Sequence, residues 1–157
     1  MKRDPEELER MMERFREAIR HCGLKLTHQR MAIYHEVAGT LDHPSIETIF
    51  RNVRRKLPTV SLDTVYRAMT LFAELGLVKT FRPFDERARF DANTDVHHHF
   101  ICGRCGATHD IEYRDFDTLS VPETALKFGR VESRCVELRG LCVNCMKLSP
   151  HGTGPGA

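Results

Sequence analysis

The chain has 157 residues, room for one domain with a good core or two small ones, with 41% hydrophobic and 29% charged residues and a formal charge of +2. Those proportions are those of a soluble globular protein. No apolar run approaches the ~20 residues of a membrane span, and the charged opening MKRDPEELERMMERFREAIRHCG lacks a signal-peptide core, so no membrane partner is expected and the cytoplasm is the expected location. The charge is unevenly spread: residues 1–82 carry 15 Lys/Arg against 11 Asp/Glu, and the remainder 9 against 11. A basic front half suits an anionic partner, and an acidic back half suits cations.

The front half reads as helices. Asp4 and Pro5 start the first, with Leu8, Met11, Met12, Phe15 and Ile19 at helical spacing, and Gly23 stops it. Thr27 caps a second helix ended by Gly39. The stretch HPSIETIFRNVRRKL predicts a third, with Pro44 in its first turn and Pro58 as its breaker. Ser61 begins a fourth, whose buried side is assigned to Leu62, Val65, Met69, Leu71, Phe72 and Leu75, with Gly76 as C-terminal cap. LVKTFRPFDERARFD then reads as two short strands around a polar turn. Helices followed by a hairpin are the order of a winged helix-turn-helix.

From about residue 92 the pattern changes. HHHFIC, ATHDIEY and RVESRCVELRG are rich in β character, with a helix expected near 115–129, so this part is read as a small α+β domain. The tail SPHGTGPGA has no apolar anchor and is expected to be disordered.

Cys102-Gly-Arg-Cys105 and Cys142-Val-Asn-Cys145 lie 36 residues apart. Each Cys-x-x-Cys turn offers two sulfurs to one ion, and two turns complete a four-thiolate zinc shell with no open position, hence a structural Zn(II). Cys22 and Cys135 have no such partners and read as small buried residues. Just before the first pair stand His97, His98 and His99. Side chains alternate along a strand, so His97 and His99 share a face while His98 points away. With Asp91 and Asp110 nearby in sequence, the two imidazoles form a mixed N/O set suited to Fe(II), Mn(II) or Zn(II).

Together, SLDTVYRAMTLFAELGLV, HHHFICGRCG and Cys142-x-x-Cys145 make the chain resemble the ferric uptake regulator family of metal-dependent transcription repressors, over about residues 8–147. The resemblance implies a winged-helix DNA-binding domain (1–88), a hinge (89–95), a small α/β dimerisation domain with the four-cysteine zinc site (96–148) and a tail (149–157). It implies a homodimer on double-stranded operator DNA, and a regulatory Fe(II) or Mn(II) between the two domains on His43, Asp91, His97, His99 and Asp110. Tyr66 and Arg67 match DNA-contacting positions, Ser61 and Thr64 are expected to donate to phosphates, and Arg16, Arg20, Lys25 and Arg30 to contact the phosphate backbone.

Within the family, Asp at 110 and at 91 resembles the peroxide-sensing repressors. That subgroup implies that five ligands on Fe(II) leave a position open to hydrogen peroxide, and that oxidation falls on His43 and His97, whereas Mn(II) resists it. An additional metal site of many iron sensors is incomplete, with Val96 and Arg134 where two of its histidines align, although His98 and Asp117 offer a partial version. The iron-responsive reading therefore stays open. Two other classes compete: a metal enzyme on His97, His99 and an Asp with Asp110 or Glu112 as general base, and a zinc-ribbon adaptor. The first lacks an HExxH-type motif, and the second has no use for the carboxylates.

Overall fold

The computed structural model describes residues 1–81 and 88–148. The chain divides into two compact units, one of Met1–Asp95 and one from Val96 onward.

Four helices build the first unit. In α1 (Pro5–His21) the Asp4 carboxylate accepts the N–H groups of Glu6 and Glu7 at 3.0 and 3.2 Å. The hydroxyls of Thr27, Ser45 and Ser61 likewise cap α2 (His28–Ala38), α3 (Ile46–Lys56) and α4 (Leu62–Glu74). Pro44 therefore lies just outside α3 rather than in its first turn, because its carbonyl accepts the Phe90 N–H at 3.2 Å. The turn after α4 requires Gly76, whose φ is +66°.

Phe15 stacks on Tyr34 with ring centroids 4.5 Å apart, and Phe72 meets both rings edge-on at 5.3 and 5.6 Å. Ile19, Ile33, Ile49, Val53 and Val65 close around this cluster. On α4 the buried side consists of Val65, Ala68, Met69 and Phe72. Leu62, assigned there from periodicity, is 39% exposed because it begins the helix, beyond the reach of the core. β1 (Lys79–Phe81) and β2 (Arg89–Asp91) pair antiparallel, and the turn expected between them falls at 82–87, outside the described residues.

The second unit is organised on β3 (His98–Cys102), which pairs antiparallel with β4 (Thr108–Ile111) and parallel with β5 (Glu137–Gly140). The single helix expected near 115–129 is two short ones, α5 (Arg114–Asp117) and α6 (Glu123–Leu126). Pro122 separates them, since it excludes helical backbone at Val121. The second Cys-x-x-Cys lies at the start of another short helix, α7 (Val143–Lys147), for which periodicity gave no sign.

Phe72 is fully buried against two rings. Phe72→Ala should destabilise the protein by about 3–5 kcal/mol, read as a lower denaturant midpoint in circular dichroism at 222 nm. An unchanged midpoint would contradict this packing.

Candidate metal centres and nucleic-acid face

The four-cysteine cluster follows from two turns brought together by the β3–β5 pair. After β3 the chain reverses through Gly103–Gly106, with Gly106 N–H donating to Cys102 O at 2.9 Å, and Gly103 N–H reaches Gly140 O at 2.9 Å. The end of β5 thereby delivers Cys142 and Cys145 beside Cys102 and Cys105, with all four sulfurs within 4.8 Å of one another. A zinc–thiolate tetrahedron with ~2.3 Å bonds has edges of roughly 3.8 Å. The Cys105 and Cys142 sulfurs lie 3.7 Å apart, so the cluster fits that ion.

Backbone N–H groups of Cys142 and Cys105 directed at the Cys102 sulfur lower its thiol to about 6. Burial, reinforced by the neighbouring sulfurs, pushes Cys145 up to about 12. One sulfur is thus ready to be a thiolate while another resists ionising beside it, and a divalent cation shared by all four removes that resistance.

In the second unit, His99 stands directly across from Asp110 in the β3–β4 register. His97 and His99 turn their Nε2 atoms toward each other at 2.9 Å, and Asp110 Oδ1 lies 3.7 Å from both. Ligands on ~2.1 Å bonds at right angles sit roughly 3.0 Å apart. Two buried imidazole nitrogens and a carboxylate oxygen at these distances form a set that can hold a first-row divalent metal with positions left open.

In the first unit, His43 and Asp91 form a second buried pair. The bridge between Ser45 and Arg89, with the Phe90 to Pro44 hydrogen bond, brings β2 alongside the His43 loop. His43 Nε2 is 3.5 Å from Asp91 Oδ2, longer than a direct hydrogen bond. Asp91 Oδ1 accepts the Asn93 N–H at 2.7 Å. His43 has a φ of +47°, the only non-glycine residue in the left-handed region among the described residues. Nothing in DHPSIETIF marks His43 as a ligand, and a positive φ is invisible to periodicity.

The residues expected to meet DNA divide. Ser61 Oγ accepts the Thr64 N–H at 3.1 Å, so it serves as a helix cap. Tyr66 is half exposed and outside the core. Lys25, Arg30, Thr64 and Arg67 line one groove along α2 and α4. Arg67 holds Asp63 at 2.8 Å on an exposed surface, a pairing worth only a few tenths of a kcal/mol and easily given up to a phosphate. Arg16 and Arg20 lie apart from this groove on α1; Arg16 is held by Glu9 and Glu13 at 2.9 and 2.8 Å, and Arg20 is 3.8 Å from Glu13.

Sequence reasoning gave His98 only a place, with Asp117, in a partial version of the additional metal site, and left Cys135 without a role. His98 is buried, with Nε2 3.0 Å from Asp117 Oδ1 and Nδ1 accepting the Val136 N–H at 3.1 Å. Cys135, expected to be buried, is exposed, and its sulfur lies 3.6 Å from His99 Nδ1. Cys22, expected to be buried too, is also exposed, at the end of α1. Both departures have one cause: neither residue faces a core.

Cys142→Ala removes a ligand sulfur and should lower bound zinc, measured by atomic absorption after gel filtration, from about one equivalent per chain to a minor fraction. Acidification should release zinc from the native protein as protons compete for the thiolates. Full zinc retention by the variant would exclude a four-sulfur shell.

The ferric uptake regulator family model matches residues 21–128. The peroxide operon regulator of Bacillus subtilis (strain 168) is 32% identical over 135 residues, spanning 86% of this chain and 93% of that protein. The peroxide-responsive repressor PerR of Staphylococcus epidermidis is 29% identical, spanning 92% and 97%. The structure of the Helicobacter pylori ferric uptake regulator Fur, described as having three functional metal binding sites, superposes with a TM-score of 0.72 at 23% identity, over 88% of this chain and 93% of that one, a likeness of fold. With the family model covering more than half of its length, the chain belongs to the ferric uptake regulator family.

Proposed function

We propose that this protein is a metal-dependent, DNA-binding transcriptional repressor that senses hydrogen peroxide, with one Fe(II) or Mn(II) held jointly by His43 and Asp91 of the first unit and His97, His99 and Asp110 of the second. The observation that carries the reading is the pair of buried imidazoles whose Nε2 atoms face each other at 2.9 Å beside a carboxylate. Names of the relatives, a peroxide operon regulator and a peroxide-responsive repressor, support the choice of signal. A zinc ion on the four cysteines fixes the fold, because a complete thiolate shell has no position for a further ligand.

In this reading the metal's charge is neutralised by Asp91 and Asp110, and the three imidazoles supply neutral donors. Fe(II) held by these residues would supply one-electron redox chemistry toward peroxide and be regenerated, which Mn(II) would not. The imidazole of His43 or His97 would be the group oxidised, by two electrons overall, taking one peroxide oxygen into its ring while the other leaves as water. An oxidised imidazole is a poor donor, so the two units lose their common ion and their fixed mutual angle. DNA half-sites have a set spacing, and a dimer without that angle no longer matches them. Exposed Leu126, Phe128, Leu138 and Val143 on the second unit supply apolar surface for such a dimer. α4 presents Tyr66 and Arg67 to the major groove, with Lys25 and Arg30 to the phosphates.

A DNA-shift assay with Mn(II) or Fe(II), with and without hydrogen peroxide, tests the reading. Both metals should support binding, and peroxide should abolish it only for the Fe(II) form, with one oxygen added at His43 or His97 by mass spectrometry. Persistence of both forms would leave a metal-responsive repressor without peroxide sensing, and binding indifferent to metal would sink the repressor itself. Arg67→Ala should weaken operator binding by about 1–3 kcal/mol, with the metal requirement unchanged.

A further inference from the structure

Two adjacent histidines of β3 make different contacts with the residues that lead into β5. Val136 N–H lies 3.1 Å from His98 Nδ1. A backbone N–H only donates, so that nitrogen carries no proton, and the neutral ring must carry it on Nε2, where Asp117 Oδ1 waits at 3.0 Å. Both nitrogens of His98 are thereby engaged.

His99 is the opposite case. The Cys135 sulfur lies 3.7 Å from Val136 O and 3.6 Å from His99 Nδ1. A carbonyl only accepts, so the S–H points at Val136 O, and the sulfur lone pairs are left to accept from His99 Nδ1–H. The proton of His99 then sits on Nδ1, and Nε2 is bare where it faces His97 Nε2 and Asp110. The backbone of Val136 holds the strand in place for this contact, accepting the His99 N–H at 3.0 Å.

We infer that Cys135-Val136 sets opposite tautomers on neighbouring histidines, with Cys135 the positioning residue that keeps His99 in its metal-binding form and Val136 N–H the group that withdraws His98 from metal binding. The inference rests on the reading of His99 as a ligand. Histidine ligands characteristically donate their second N–H to an outer acceptor that fixes ring and tautomer. Here a thiol sulfur takes the place of the usual carboxylate or carbonyl. Without it, the Nε2–H form of His99 becomes accessible, and a metal must first displace that proton.

The test uses the full-length, zinc-loaded protein, with nitrogen-15 shifts of the His98 and His99 rings and Mn(II) affinity from the free-ion paramagnetic resonance signal. Before Mn(II) is added, His99 should show a protonated Nδ1 and a bare Nε2, and His98 the reverse. Cys135→Ala should move the His99 shifts toward a tautomer mixture and weaken Mn(II) binding by about 10- to 100-fold, leaving His98 and zinc content unchanged. Cys135→Ser, whose hydroxyl also donates and accepts, should restore both readouts toward wild type. A protonated Nε2 on His99 in the wild type, or wild-type Mn(II) affinity in Cys135→Ala, would overturn the inference. Failure of the wild type to bind Mn(II) would instead remove the metal-site reading, and the ring shifts would still decide the tautomers. Should Cys135→Ala fail to fold, the wild-type shifts alone decide.

Discussion

The register of β3 is the constraint on which the second unit depends. Side chains alternate along a strand, so a slip of one residue would send His98 to the face of His99 and reverse every contact around them. Two partner strands oppose that slip, β4 from His98 to Ile101 and β5 from His99 to Cys102. A sheet this small has little else to hold it, which gives the cysteine cluster its weight. Its sulfurs come from the turn that leaves β3 and the turn that follows β5, so an ion bound to all four ties together the strand ends that would have to move. A site with no exchangeable position makes a durable peg for that purpose.

The same strand carries two donor sets of opposite character. Only Phe100 and Ile101 separate His99 from Cys102, and both Ile101 and Cys102 are 1% exposed. Thiolates are the groups in the chain most readily oxidised, and in the proposed sensor an oxidising reaction takes place near them. Burial of β3 between its partners lowers that risk, and zinc bound to each sulfur would lower it further. The nitrogen and oxygen donors of His97, His99 and Asp110 have no closed shell of their own, which is what a responsive site needs.

How much of this was legible follows from how local each signal is. The capping residues Asp4, Thr27, Ser45 and Ser61 act within three residues of themselves, and the helices of the first unit could be read from them and from apolar spacing. The Cys-x-x-Cys pairs and the His97–His99 alternation are local patterns too. Leu62 was misassigned because periodicity gives a direction around a helix but not where the core ends. The single helix expected near 115–129 took no account of Pro122, whose ring breaks it into two. His98 and Asp117 were paired only through the resemblance, as a partial additional metal site, whereas the contacts of Cys135 with His99 and of Val136 with His98 were unreadable because they span 36 and 38 residues. His43 entered through family resemblance alone, since its backbone conformation leaves no trace in residue spacing.

That conformation bears on how a chemical change at one ring can act as a signal. A non-glycine residue in the left-handed region costs of order 1–3 kcal/mol and persists only where its surroundings impose it. Here they do so from both sides. Before His43, Leu41 N–H and Thr40 Oγ donate to Met1 O, and Lys2 bridges Thr40. After it, Pro44 accepts from Phe90, Ser45 bridges Arg89, and the Ser45 hydroxyl caps α3. Backbone pairing holds the loop from both sides, while the buried His43 ring meets Phe81 edge-on with centroids 5.4 Å apart and lies 3.5 Å from Asp91. Oxidation of the ring would cost the proposed site a donor atom while these backbone pairings still tie the loop to β2 and to the N-terminal residues, so the change would be felt first in what the metal had joined.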